Sequence, residues 1–428
     1  MVVKSRSEAI FSKLTIVLAI CILLKFLCGN AFKEAVASQS SVDFKGYYTA
    51  AHRLESGRHL YAFDAESNPY VYTPLVAQMV RVSVASSPFE VAARVWMKLN
   101  IACLCLAIFL FAWALRLDRY GVAAIVLLLL TGFRYWPTVM EVAIGNVHMM
   151  LLSLVAGMFL CNRYKKWFLM SILVGLAALF KTWCILFCIY FLICRKPRFA
   201  LFACVFFLLT ATILLSFSGP NAFDEFVNNT LFITSRFTNL TLHKGFIPPP
   251  PLMPLSHSLL GVANLLFEYN RSGVQPVFPS GLAHASALVL GFVVIVGGFF
   301  LAFKSVRDSH DQKHLLLAFC ILTVLLLIPL CHVNTLVLAL PSIWICSIVY
   351  EDNNKVRKLS IRLAAVAIYL ILAFPLKANV PVPEEFTHGW KSLLVAIPFF
   401  AMFALWIINL VAIRYSSSRN FAKTFIQE

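Results

Sequence analysis

Apolar runs of membrane-spanning or near-spanning length recur from residue 14 to residue 413, and the connections between them are rich in Lys and Arg. About 20 apolar residues form a helix that crosses ~30 Å of hydrocarbon. The runs at 91–117, 145–161, 199–217, 282–303, 315–330, 336–350 and 393–413 meet that length or fall slightly short of it. Charged residues make up 13% of the chain, against roughly a quarter in soluble domains. No polar stretch is long enough to build a soluble domain. The expected architecture is an all-α polytopic membrane protein, with residues 1–428 forming one integral membrane domain.

The net charge of +17 does not imply nucleic acid. The basic residues gather around 163–166, 195–198, 304–313, 355–362 and 414–423, as cytoplasmic connections do. This rule puts both termini in the cytoplasm, gives about twelve spans, and leaves two long extracytoplasmic connections, 30–91 and 218–280. The run at 169–194 has basic flanks on both sides, so it must turn back midway. Its only polar break is Lys181-Thr182-Trp183, which predicts two short spans meeting at an outer hairpin with Lys181 at its tip. The run at 14–27 could serve as a signal peptide cleaved after Ala35-Val36-Ala37, but a retained helix is expected. The 12 cysteines lie almost all in apolar runs and show no C-x-x-C spacing, so they read as small apolar residues. No cofactor or metal is indicated.

In so apolar a chain, the stretch from Asp43 to Pro74 stands out for its Asp, Glu, His, Arg and Tyr content. Connections of this length are functional or disordered, and this one holds too many aromatics for disorder. Asp43 is followed by Phe44, Tyr47 and Tyr48. A carboxylate partly desolvated by aromatics gains basicity, which suits a general base acting on a sugar hydroxyl. A loop-capping Asp fits the spacing equally well.

Lys181 lies between apolar runs, where ionisable groups are costly and commonly functional; a snorkelling Lys is the bland reading. Helix starts are expected at Gly145-Asn146, at Thr182-Trp183 and after His332, and their N–H groups would suit an anion. Lys181, His332, Asn146 and His148 are therefore the candidate donor-phosphate residues. Tyr47, Tyr48, Tyr72, Arg236 and His257 are the candidate substrate contacts. Glu141 and Arg134 are candidate partners of one another, and Glu141 is the next candidate base after Asp43.

Asp43-Phe44, Tyr47-Tyr48, Ala50-Ala51, Gly57, Tyr61 and the run Tyr70-Val71-Tyr72-Thr73-Pro74-Leu75 resemble the first outer loop of glycosyltransferase family 87. These are the polyprenyl-phosphate-mannose-dependent mannosyltransferases of the GT-C superfamily. Trp96 and Asn100, Gly145-Asn146, the segment from Gly175 to Lys181, Ser256-His257-Ser258-Leu259 and His332 extend the resemblance along most of the chain. Thr73, Asn146 and Ser256-His257 depart from the residues common in the family. The resemblance implies a GT-C-type fold, Asp43 as the base of one inverting displacement, and Lys181 and His332 on the donor phosphate.

The sequence is thus read as a hexosyltransferase that moves mannose from a polyprenyl-phosphate donor to a lipid or glycan acceptor. The expected location is the bacterial plasma membrane, among membrane lipids, with the site on the extracytoplasmic side. Two rivals are a lipid-linked sugar flippase or transporter and a polysaccharide polymerase or ligase using lipid-diphosphate donors. A transporter would place polar groups through the depth of the membrane; here they cluster on the outer side.

Overall fold

The computed structural model describes residues 41–61, 70–116, 128–129, 131–133, 135–219, 221–227, 259, 262, 281–305, 310–328, 331, 333–350, 352, 354–373 and 396–416. Among them all regular structure is helical. The first expected span at 14–27 and most of the connection at 218–280 lie outside the described residues.

The first long connection folds into two helices, α1 (Val42–Glu55) and α2 (Pro74–Ser83). α1 buries Phe44, Tyr47, Ala50 and Ala51, a helical spacing that presents one apolar face. α2 opens on Pro74, whose missing N–H costs nothing at a helix start. α3 (Phe89–Ala114) follows, 26 residues long and therefore about 39 Å in length. It buries Trp96, Asn100, Leu104 and Phe111 and exposes Val91, Val95, Phe109 and Trp113. Exposed apolar side chains along one side of such a helix suit a lipid neighbour.

After α3 come α4 (Trp136–Ile144), α5 (His148–Arg163) and α6 (Trp167–Phe180). α5 is buried on nearly every side and is the axis of the bundle. Phe159 on α5 meets Phe111 of α3 edge-on, with ring centroids 5.2 Å apart. α6 stops because Lys181 adopts an extended conformation, φ −139° and ψ 111°. A 3₁₀ segment, Thr182–Cys188, then leads into α7 (Ile189–Ile193).

The chain has reversed by this point. Tyr190 lies with its ring centroid 6.4 Å from that of Trp167, at the start of α6, and its hydroxyl donates to Asn162 Oδ1 at 2.7 Å. Lys181 therefore occupies the tip of a hairpin, as the basic flanks predict. The hairpin's basic ends close in left-handed residues, Lys165 (φ 55°) and Arg195 (φ 57°). The following amides bond back to Cys161 O at 2.9 Å and Phe191 O at 2.7 Å, the pattern of helix ends that satisfies terminal carbonyls.

The remaining helices are α8 (Pro197–Ser216), α9 (Gly281–Ser305), α10 (His310–Leu327), α11 (Leu340–Trp344), α12 (Lys355–Ala373) and α13 (Ile397–Ser416). The expected span at 336–350 is irregular: a 3₁₀ segment, Val333–Ala339, leads into α11 and then a wide π turn, Ile345–Val349. Pro341 has no N–H to give and crowds the preceding turn. Among the described residues, Phe89–Ala114, Pro197–Ser216 and Ile397–Tyr415 are long and apolar enough to cross a membrane, and six shorter apolar segments accompany them. The chain is a membrane protein. Among the described residues, two groups of buried polar side chains lie at the two ends of α5, Glu141, Asn146 and His148 at one and Asn162 and His314 at the other.

Candidate active site

The site is built on the turn between α4 and α5. Gly145 ends α4 in the left-handed conformation, φ 74° and ψ 30°, its N–H bonded to Glu141 O at 3.0 Å. A Cβ at this position would stand 2.8 Å from Phe44 Cβ. Glycine is needed twice here, for the conformation and for the close approach of α1. Trp96 Nε1 fixes the turn from α3 by donating to Gly145 O at 2.8 Å.

Held this way, Asn146 joins three groups. Its Nδ2 donates to Asp43 Oδ2 at 2.6 Å. Its Oδ1 accepts from Val147 N–H at 2.7 Å and from the Tyr72 hydroxyl at 3.3 Å. Tyr72 Oη accepts in turn from Lys181 Nζ at 2.8 Å. The same ammonium lies 4.2 Å from the centre of the Tyr72 ring, a favourable cation–π position. A carboxylate and an ammonium thus share one end of the bundle, linked through an amide and a phenol. Both are half-buried; Tyr72 and Asn146 are buried.

The strip that carries Tyr72 is fastened along its length. Tyr61 donates to Tyr72 O at 2.9 Å, and Tyr70 donates to Thr73 O at 2.5 Å. The Thr73 hydroxyl donates to Leu179 O, in the last turn of α6 before the hairpin tip. Thr73, a departure from the family's common residue, therefore ties the first connection to α6. Tyr47 packs edge-on against Tyr72 at 4.9 Å. Its hydroxyl is buried with no hydrogen-bond partner in the described structure. Burial, with Tyr72 and Asp43 acting in the same sense, pushes the Tyr47 phenol well above its ordinary pKa. Burial also raises Tyr72, with Lys181 opposing. Both phenols remain hydrogen-bond donors at neutral pH.

Tyr48 faces elsewhere: it donates to Ser87 O at 2.7 Å and packs against Phe89 at 5.5 Å. Arg236, His257 and His332 lie outside the described residues. Thr335, shortly after His332, is buried, with its Oγ1 3.4 Å from His148 Nε2. That segment therefore reaches the same end of the bundle.

His148 is buried beside Glu141. Its backbone N–H donates to Glu141 Oε1 at 2.6 Å, and its Nδ1 lies 2.9 Å from Oε2. This differs from the expectation that the start of α5 offers open N–H groups to an anion. Val147 N–H is taken by Asn146, and His148 N–H by Glu141. The left-handed turn at Gly145 folds the end of α4 back over the start of α5, and a carboxylate from the preceding helix fills the place. Spacing alone hints at it: Glu141, Gly145, Asn146 and His148 stand within two helical turns in sequence.

Among the described residues no three His, Cys, Asp or Glu side chains gather as a metal site would. An open groove of about 440 Å³ runs between α2 and α3, lined by Gln78, Met79, Val82, Ser83, Trp96 and Leu99.

A carboxylate and an ammonium collected at one end of an apolar helical bundle are chemically able to move a proton and to meet an anion. The model of glycosyltransferase family 87 matches residues 70–332. The chain belongs to glycosyltransferase family 87, and it uses a sugar donor and an acceptor. Tyr72, Glu141, Asn146, His148, Lys181 and His332 fall inside the matched stretch, and Asp43 precedes it. No curated protein matches the chain.

Proposed function

We propose that this glycosyltransferase moves mannose from a polyprenyl-phosphate donor to a hydroxyl of a lipid or glycan acceptor, on the extracytoplasmic face of a bacterial plasma membrane. The observation that carries this reading is the linked set Lys181, Tyr72, Asn146 and Asp43. Asp43 removes the acceptor proton as that oxygen attacks the anomeric carbon. The bond from that carbon to the phosphate oxygen breaks, and the lipid monophosphate leaves with the electron pair. Configuration inverts in this single displacement.

Asn146 holds one oxygen of Asp43, which fixes the direction of the carboxylate. Lys181 and His332 meet the charge growing on the leaving phosphate. Tyr47, Tyr72, Arg236 and His257 complete the substrate contacts, whereas Tyr48, turned toward Ser87 and Phe89, braces α1. The α2–α3 groove supports a place for a prenyl chain, because it is mostly apolar and Trp96 joins it to the Gly145 turn. The fold is of GT-C type on this reading.

The test is sugar transfer by membranes carrying wild type or Asp43→Asn at matched expression, supplied with labelled polyprenyl-phosphate mannose. Loss of a positioned base lowers the rate by about 10²- to 10⁴-fold, with donor binding retained. Equal rates would exclude Asp43 as the base. Transfer from a lipid-diphosphate donor in place of the monophosphate would favour the polymerase or ligase reading.

A further inference from the structure

We infer that Glu141 is a positioning residue that sets the phosphate side of the site against the base side, acting through His148 and Thr335; this rests on the transferase reading above. Glu141 is completely buried. A buried carboxylate is costly to desolvate. Capping the start of a helix does not require one, since Ser, Thr, Asp or Asn at the cap position serves in most helices. The second oxygen of Glu141 does something a cap does not: it holds the His148 ring through Nδ1 at 2.9 Å.

The ring so held presents Nε2 to Thr335 Oγ1 at 3.4 Å. Thr335 belongs to the 3₁₀ segment Val333–Ala339, which begins immediately after His332. A second tie runs in parallel, from the Tyr135 hydroxyl to Leu336 O at 3.3 Å. Tyr135 immediately precedes α4, the helix that carries Glu141. The α4–α5 unit therefore grips the segment that follows His332 at two points. The same unit holds Asp43 through Asn146. Glu141 stands where these two connections meet. Its two oxygens fix the register of His148, and His148 transmits that register to Thr335.

The chemistry of the amide variant follows from hydrogen-bond inventories. In Glu141→Gln the carbonyl oxygen still accepts from His148 N–H, so the α5 cap survives. The NH₂ group cannot accept from Nδ1–H, so the ring must rotate away or switch to the Nε2–H tautomer, which reverses the direction of the Thr335 hydrogen bond. Thr335→Val removes the same link from the other end with little change of shape. Each substitution misaligns base and leaving group without removing either. The maximal rate should fall about tenfold or more while the KM for donor stays nearly constant, the signature of an interaction used in the transition state.

The experiment measures single and double variants of the full chain in membranes, with labelled polyprenyl-phosphate mannose varied to saturation and rates normalised to folded protein. The expected result is a fall in maximal rate for Glu141→Gln and for Thr335→Val, with the double variant no worse than the more damaged single, because one chain of contacts is cut once. A purely structural Glu141 would lower the folded fraction and leave the normalised rate unchanged, and that result overturns the inference. Additive losses overturn it too, since they put the two residues on separate paths. Asp43→Asn separates this inference from the reading beneath it. If Asp43→Asn is inactive while Glu141→Gln is fully active, only the positioning role falls. If Asp43→Asn is active and Glu141→Gln inactive, Glu141 is itself the base, and both fall.

Discussion

α5 carries buried polar groups at both ends, and the two ends are built differently. At the first end His148 sits beside a carboxylate, with Asp43, Asn146, Tyr72 and Lys181 close by. At the other end, Asn162 accepts from Tyr190 at 2.7 Å and lies 3.4 Å from His314 Nδ1. The His314 ring stacks on Phe159 with centroids 5.6 Å apart. This second cluster joins α5, α7 and α10 through an amide, a phenol and an imidazole. Such groups gain modest stability from hydrogen bonds and cost little once paired. The first cluster takes Glu141 wholly, and Asp43 and Lys181 partly, out of water, which favours stability little by itself. The comparison teaches that one end of this helix is built as a joint, and that the other is built as the proposed site requires.

The sharpest way to break that distinction is Lys181→Met, which keeps length and removes charge. Transfer should fall about 10²- to 10³-fold, as when a donor to a developing anion is lost, while thermal stability in detergent holds or rises. An unchanged rate would make the two ends alike. Gly145→Ala should damage both properties. The added Cβ meets Phe44 Cβ at 2.8 Å in a left-handed turn, which costs about 1–3 kcal/mol and displaces Asn146 from Asp43. A thermal melt and a transfer assay on one preparation would read both effects.

Tyr190→Phe probes the joint. The loss should be about 1 kcal/mol, seen as a lower melting temperature with the rate per folded molecule unaltered. A fall in that rate would mean that the second end also serves the reaction.

The smallest effect concerns the ion pair beyond that end. The hydrogen bond from Arg357 holds the Asp352 carboxyl well below the usual range. Arg357 also covers the Tyr415 ring at 3.7 Å. A folded-state pKa below the unfolded value gives stability that is present above the ordinary carboxylate value of about 3.9 and is lost as pH falls through the folded value. Wild type should therefore outlast Asp352→Asn slightly in melts at neutral pH, and the advantage should shrink in strong acid. Solvent screening at a half-buried guanidinium keeps it small.

Sequence and structure agree most closely at Lys181. Basic residues on both sides of 169–194 force a reversal, and the polar break marks where it happens. The contact between Trp167 and Tyr190 is its direct trace. The apolar runs likewise announce α3, α8 and α13. The pairing of Asp43 with Asn146 is not legible, because it joins positions 103 residues apart and depends on how closely Gly145 lets α1 approach. The start of α5 misleads for a related reason. A helix N-terminus reads as open when only its own segment is considered, and the group that closes it, Glu141, comes from the helix before. Family likeness supplies residue types in order; it does not supply the hydrogen bonds between them.

Tyr72 receives a hydrogen bond from Lys181 and gives one to Asn146. At rest, then, the ammonium already has a partner. An ammonium has three N–H donors, so on the proposed reading Lys181 can keep Tyr72 and still meet the phosphate of an entering lipid. A neutral sugar headgroup offers that ammonium only hydroxyl acceptors, whereas a phosphodiester adds a full negative charge. On that reading the bond to Tyr72 aims the ammonium, and the donors left over favour an anionic carrier over a neutral glycolipid.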